Sequence, residues 1–147
     1  MIGISSCLVG CKCTYKGSDN LVLKLQEYYQ KNGAVLICPE VLGGLTIPRL
    51  PCEITGNKVK DIEGNDKTEA YQLGAKKALE LLKESGVKAV VLKANSPSCG
   101  KGFVYDGTFT HRLIQGDGIT TQLLKQHGIA VFNENELADF FKFIEKR

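Results

Sequence analysis

The chain repeats one arrangement of polar and apolar positions three times. Each copy is a stretch with helical spacing, then a glycine, then a short, mostly apolar run. A glycine just past a helix suits the left-handed conformation in which helices commonly end, and apolar runs without alternation suit strands buried on both faces of a parallel sheet. The three copies are Gly33 before 34–38, Gly86 before 87–92 and Gly128 before 129–132.

Four stretches carry apolar residues at the spacing of one helix face, so each predicts a helix packed on the core. Ser18, Asp66 and Asn133 precede three of them as candidate N-caps. Glu69 and Glu136 follow the last two caps by three residues, as in a capping box. The faces are Leu21, Leu25, Tyr28 and Tyr29; Tyr71, Ala75, Ala78 and Leu82; Ile119, Leu123 and Leu124; and Leu137, Phe140, Phe141 and Ile144.

Strands and helices therefore alternate along the chain, which predicts a parallel sheet with helices on both faces. Two longer segments, 39–65 and 94–117, interrupt the alternation. The first contains a hairpin signal over Gly56-Asn57 within 54–62, and the second contains a turn signal at 105–108. We predict a small Rossmann-like, three-layer α/β fold whose mainly parallel sheet has about four strands, plus a loop or hairpin insert. Loops this long inside a compact domain usually serve function.

Composition narrows the class of protein. The 147 residues suit a single α/β domain spanning 1–147, and 43% apolar with 24% charged residues excludes a disordered chain. A net charge of +3 is too small to point to nucleic acid or to a membrane surface. The apolar runs are far shorter than a membrane helix, and the first residues read as a strand rather than a signal peptide. We therefore expect a cytoplasmic protein with reduced cysteines, which makes those cysteines candidates for metal binding or catalysis.

Three cysteines lie at or just after predicted strand ends. Cys7 ends the first strand, Cys38 ends the second, and Cys99 follows the third by a few residues. Ligands of open α/β sheets bind outside the carboxyl ends of the strands, so these thiols should meet at one edge. Three thiolates can hold zinc with an open fourth position, or a [4Fe–4S] cluster with one iron unligated by protein. Their spacing does not decide between the two.

The other three cysteines leave more than one interpretation open. Cys11 and Cys13 follow Cys7 closely enough for an alternative metal site within one loop, or for thiol exchange. Cys52 is expected near the site without ligating. Basic residues flank the same loops and can offset thiolate charge, hold an anionic substrate, or form a solvated rim: Lys12, Lys16, Arg49, Lys93 and Lys101.

Four motifs occur in order along almost the whole chain. They are SSCLVG at 5–10 with Tyr15 and Gly17; CPEVLGGL at 38–45 with Pro48, Arg49 and Glu53; Leu92-Lys93 with SPSCG at 96–100; and YDGTF at 105–109. The set resembles the domain-of-unknown-function family 523, whose characterised activity is thiouracil desulfidase. Thr14 and Lys16 depart from the family pattern, which has a basic and an acidic residue there, and this leaves the substrate open.

The resemblance implies a [4Fe–4S] cluster held by three cysteines with one open iron, and the matching residues are Cys7, Cys38 and Cys99. It also implies an assisting carboxylate and serine, matched by Glu40 and Ser96, with Ser98 as a further candidate. The implied reaction is a non-redox, hydrolytic removal of sulfur from a thiolated pyrimidine, in which a carboxylate activates water. The candidate substrate-binding residues are Tyr15, Arg49 and Lys93.

Two other functions remain compatible with the sequence. One is a metal-free sulfur carrier or sulfurtransferase that uses a cysteine persulfide, and the other is a non-catalytic domain that binds zinc or a small ligand. For the desulfidase, the substrate can be a free base, a nucleoside or a modified tRNA, although the modest charge does not argue for tRNA. The absence of Walker-type and GxGxxG motifs gives no reason to predict a nucleotide cofactor.

Overall fold

The computed structural model describes residues 1–146 and contains strands and helices in alternation. The strands are β1 (Gly3–Ser5), β2 (Val35–Ile37), β3 (Cys52–Thr55), β4 (Lys58–Asp61), β5 (Ala89–Leu92), β6 (Phe103–Tyr105), β7 (Leu113–Gln115) and β8 (Ala130–Asn133). The helices are α1 (Leu23–Asn32), α2 (Pro39–Leu42), α3 (Thr68–Glu84), α4 (Ile119–Gln126) and α5 (Leu137–Glu145), with 3-10 helices at Ser6–Val9 and Glu134–Glu136.

The central sheet has four parallel strands in the order β2-β1-β5-β8. Ile4 pairs with Leu36 on one side and Val91 on the other, so β1 lies between the two strands that carry the next site residues. This arrangement confirms the predicted fold class. Because all four strands run the same way, their carboxyl ends form one edge of the sheet.

Two hydrophobic layers bury the two faces of the sheet. On one face, Leu25 of α1 and Phe140 of α5 pack with Ile4 and Val91. On the other, side chains of α3 and α4 pack with the alternate positions of β5, as in the cluster of Leu82, Leu124, Val90 and Leu92. The alternation of β5 between the layers explains why its sequence is apolar at every position. Within 1–146, no helix is both long and apolar enough to cross a membrane.

The predicted helix ends are partly right. Gly33, Gly86 and Gly128 all have positive φ, as expected for glycines that end helices. Asn133 forms the predicted capping box with Glu136, at the 3-10 turn that leads into α5.

Two predicted N-caps are wrong. Helix α1 begins four residues later than expected, with Val22 as its N-cap, because Ser18 instead closes a loop by bonding to the hydroxyl of Thr14. The capping box between Asp66 and Glu69 does not form, since the Asp66 carboxylate accepts from the Thr68 N–H and Lys67 occupies the cap position.

The two long segments form antiparallel hairpins beside the sheet. Strands β3 and β4 pair around Gly56, as predicted, and β6 pairs with β7 around the loop 106–112. Helix α2 is an element that the periodicity analysis missed, because four residues are too few to show a helical period. Its backbone approaches α3 closely at two glycines, Gly43 and Gly74.

Candidate functional site

A cavity of about 520 Å³ opens at the carboxyl edge of the sheet. Its volume lies within the range of small-molecule sites. The two hairpins and the loops after β1, β2 and β5 enclose it. All nine site residues predicted from the sequence line this one cavity: Cys7, Cys38, Cys99, Glu40, Ser96, Ser98, Tyr15, Arg49 and Lys93.

The topology explains why the three strand-end cysteines meet. Cys38 directly follows β2, and Cys7 lies in the 3-10 turn that directly follows β1. Strands β1 and β2 are neighbours in the sheet. Cys99 follows β5, on the other side of β1, in a turn docked on the start of α4. There the Ile119 and Thr120 N–H groups donate to the carbonyls of Pro97 and Ser98, both at 2.8 Å.

Polar groups surround the thiols with hydrogen-bond donors. The Asn20 amide lies 3.5 Å from Cys7 Sγ, and the hydroxyls of Ser5 and Ser98 lie 3.7 and 3.5 Å from Cys99 Sγ. Burial nevertheless raises the pKa of the Cys99 thiol to about 12, because the serines compensate for only part of the lost hydration. A bound metal would deprotonate such a thiol, and the resulting thiolate sulfur would accept the same hydrogen bonds.

Cys13 is a fourth thiol of the cavity, and the sequence left its role open. Its carbonyl accepts from Arg49 Nη2 at 3.0 Å and lies 3.8 Å from Cys38 Sγ. Hydrogen bonds from the Cys13 thiol lower the pKa of Cys7 and, with the Val41 N–H, lower that of Cys38 to about 7. No sequence signal predicted this, because the contact depends on folding the 11–17 loop back across the strand ends.

The remaining cysteines divide between cavity and surface. Cys52 lines the cavity wall, as expected, while Cys11 is exposed and lies outside the cavity lining. Among residues 1–146, no three His, Cys, Asp or Glu side chains meet closely enough to hold a single metal ion. A [4Fe–4S] cluster does not require three ligands around one ion. Each thiolate binds a different iron, so the three sulfur atoms lie farther apart than the ligands of a single metal ion.

Glu40 is the most strongly bonded carboxylate of the cavity. Oε1 accepts from Arg49 Nε at 3.2 Å and from the Tyr71 hydroxyl at 3.0 Å, and Arg49 Nη2 lies 3.1 Å away. Oε2 accepts from the Ser98 hydroxyl at 3.0 Å. Burial raises the pKa of Tyr71, which therefore stays a donor. The carboxylate is thus fixed in orientation by three side chains.

The other predicted residues have contacts that bear on their roles. The Ser96 hydroxyl accepts from the Cys99 N–H at 2.7 Å, so it shapes the turn that presents the thiol. Lys93 Nζ pairs with Glu134 at 2.7 Å, and Tyr15 is 39% exposed at the cavity. Of the other basic residues, Lys16 lines the cavity, whereas Lys12 and Lys101 lie outside its lining and Lys101 pairs with Glu136.

Sequence comparison with known proteins identifies a matching family. The sequence model of the 2-thiouracil desulfurase family matches residues 2–136. The chain belongs to this family. It is 46% identical over 149 residues to the uncharacterized protein YbbK of Bacillus subtilis strain 168, covering 95% of this chain and 99% of that protein.

A solved structure described as the [4Fe–4S]-dependent thiouracil desulfidase TudS (DUF523Vcz) is similar over nearly its whole length. The TM-score is 0.94 at 37% sequence identity, and the match covers 99% of this chain and 98% of that one. The family resemblance drawn from the four motifs is therefore confirmed, and so is the fold.

Proposed function

We propose that this protein is a [4Fe–4S]-dependent desulfidase that removes sulfur from a 2-thiouracil-like thiopyrimidine and yields the oxo compound and sulfide. The observation that carries the proposal is the convergence of Cys7, Cys38, Cys99 and Glu40 on one cavity. Membership of the 2-thiouracil desulfurase family supports the reaction, and the similarity to a [4Fe–4S]-dependent thiouracil desulfidase supports the cofactor.

Cys7, Cys38 and Cys99 are the proposed cluster ligands. The donor set fits such a group, because thiolates are the usual ligands of iron–sulfur clusters and the bonds from Asn20 and Ser5 suit negatively charged sulfur. When bound, the cluster supplies an open, thiophilic iron that polarises the C=S bond as a Lewis acid. The three cysteines must not be oxidised to disulfides if they are to bind iron, and this supports the prediction of a reducing, cytoplasmic compartment.

Glu40 is the proposed general base. Oε1 is occupied by Arg49 and Tyr71, whereas Oε2 accepts from Ser98 alone and retains a lone pair for a water molecule. A water held there can lose a proton to the carboxylate as it adds to the thiocarbonyl carbon. Arg49 acts on this carboxylate and positions it, rather than binding substrate as a free cation.

Ser96, Ser98, Tyr15 and Lys93 are proposed to complete the substrate site. Ser98 links Glu40 to the Cys99 thiol, since its hydroxyl lies 3.0 Å from Oε2 and 3.5 Å from Sγ. Lys93 is neutralised by Glu134, which argues for a neutral substrate rather than an anionic one. A free thiopyrimidine base meets this condition, while a nucleotide or tRNA brings phosphate charge.

The test combines metal analysis with turnover after anaerobic reconstitution. We expect about four irons and four sulfides per chain, and conversion of 2-thiouracil to uracil. Cys99→Ala should lose the iron. Glu40→Gln should retain it and lose roughly 100- to 10,000-fold in kcat, the usual contribution of general acid–base catalysis. Glu63→Gln, in the exposed turn that follows β4, is the matched control.

Three outcomes would contradict the proposal. Turnover that survives chelation but not alkylation would indicate the persulfide mechanism. About one zinc per chain without iron or turnover would indicate a binding domain. Full activity of Glu40→Gln would make Glu40 a structural residue.

A further inference from the structure

The loop 106–112 between β6 and β7 places an aromatic side chain in the cavity from a rarely used backbone conformation. Phe109 has a φ of 60° and His111 a φ of 63°, both in the left-handed region. A bulky residue is uncommon there. Such conformations persist only where surrounding structure enforces them, and they concentrate at ligand sites.

A buried carboxylate enforces this conformation. Glu53 of β3 is 8% exposed and accepts from the Gly107 N–H at 2.9 Å and the Phe109 N–H at 3.1 Å. A carboxylate is costly to bury unless donors satisfy it, so these two amides are held strongly. Gly107 packs tightly on the same strand, since a Cβ atom there would lie 2.8 Å from the Ile54 carbonyl oxygen.

Hydrogen bonds within the loop restrict it further. The Thr108 hydroxyl lies 2.6 Å from both the Asp106 carboxylate and the Thr110 hydroxyl. The Asp106 N–H donates to the Arg112 carbonyl at 2.9 Å and closes the base of the loop. Phe109 is thus presented to the cavity by a loop with little freedom to move, and no step of the chemistry above uses it.

We propose that Phe109 binds the heteroaromatic ring of the substrate by stacking, and that Glu53 is the residue that positions it. The inference rests on the proposed function and assigns the ring-recognition element of that site. Glu40 acts at the carbon that bears the sulfur, and the three cysteines hold the cluster, so none of these residues distinguishes a flat ring from an open-chain thioamide. An aromatic wall supplies that distinction, because a pyrimidine offers a π-face.

Uracil is the probe that isolates this contact, because it has the pyrimidine ring but no sulfur for iron to hold. We expect Phe109→Leu and Phe109→Met to raise the Kd of the reconstituted protein for uracil roughly 5- to 150-fold, the range of base–aromatic stacking. Phe109→Tyr should bind as the parent does. The KM for 2-thiouracil should rise in parallel in the Leu and Met variants, with kcat within a few-fold.

Phe103→Leu is the matched control, since Phe103 lies on the same hairpin, is 51% exposed and does not line the cavity. Glu53→Leu removes the carboxylate oxygen, Oε1, that accepts from both the Gly107 and the Phe109 N–H groups. It should raise the Kd for uracil as Phe109→Leu does, with iron content unchanged. Glu53→Gln keeps a side-chain carbonyl and should restore most of the affinity. This rescue separates positioning of Phe109 from a general loss of structure.

Two results would overturn the inference. A parent protein that turns over 2-thiouracil while Phe109→Leu and Phe109→Met keep its Kd for uracil within twofold would refute the stacking role alone. A parent protein that neither desulfurates 2-thiouracil nor binds uracil would refute the proposed function together with it.

Discussion

Replacement of Gly74 by alanine tests whether the backbone contact between α2 and α3 holds the site in place. Gly74 lies inside α3, where alanine is intrinsically favoured over glycine by about 0.8–1.0 kcal/mol. Helix propensity alone therefore predicts that the variant is more stable. The tertiary structure predicts the opposite, so the sign of the effect decides between the two.

The magnitude follows from the distance between the two elements. A Cβ atom on Gly74 would lie 1.8 Å from the Pro39 carbonyl oxygen, whereas real Cβ contacts essentially never fall below 3.0 Å. The two backbones must separate by roughly 1 Å, and the clash is with a carbonyl that has no rotamer to change. Overpacking of this kind costs about 1–3 kcal/mol, and the upper end applies here. After the propensity gain, we expect a net loss of about 2 kcal/mol.

Thermal unfolding of the cluster-free protein measures this effect. A loss of about 2 kcal/mol corresponds to a Tm lower by roughly 4–8 °C in a domain of this size. Pro39 directly follows Cys38, so the displacement should also speed the release of iron to a chelator from the reconstituted variant. Lys76→Ala, on the exposed side of α3, is the control and should change the stability by less than about 0.5 kcal/mol. A Tm equal to or above that of the parent would refute the argument.

Two further predictions concern the polar groups of the cavity. Arg49→Met should destabilise the fold by about 3 kcal/mol in denaturant unfolding, because the side chains of Arg49 and Glu40 are only 8% and 16% exposed and the carboxylate would lose its cation. Combination with Glu40→Gln should recover part of that loss, and strict additivity would argue against coupling. In cluster-free protein, the rate of Cys38 alkylation by iodoacetamide should rise with pH around a midpoint near 7, since only the thiolate reacts. Hydrogen bonding, mainly from Cys13, lowers the pKa of Cys38 to about 7. Cys13→Ala should move this midpoint upward. Cys99, with a pKa of about 12, should stay unreactive below pH 9. Equal alkylation of Cys38 and Cys99 would contradict this prediction.

The pattern of apolar and polar residues along the chain was sufficient to predict the main architecture. Gly33, Gly86 and Gly128 adopt the left-handed backbone conformation, and each precedes an apolar run. This pattern correctly indicated three strands of the sheet and the helices before them. The positions of Cys7, Cys38 and Cys99 at strand ends predicted that they share one edge. This succeeded because parallel topology maps strand ends onto one side whatever the detailed packing.

The sequence did not predict which partner a polar side chain bonds, whether that partner is four residues away or more than fifty. Ser18 was predicted as a helix cap but bonds to Thr14, because capping and loop closure use the same hydroxyl and only the folded loop selects one. Glu40 was a candidate from its motif, yet its partners Tyr71 and Ser98 lie 31 and 58 residues away. The role of Cys13 likewise depends on the loop that Arg49 holds across the strand ends.

By itself, the sequence determined the class of fold and the edge of the sheet that carries the three strand-end thiols, and the family resemblance added Glu40, Ser96 and Ser98 as candidates at that edge. These follow from local periodicity, from strand-end position and from motif chemistry. Only the tertiary structure decided that Glu40 is held by Arg49, Tyr71 and Ser98, and that Glu53 fixes the backbone of Phe109. Those contacts join segments far apart in the chain, so no local pattern records them, and they arise only when packing of the sheet and its hairpins brings the segments together.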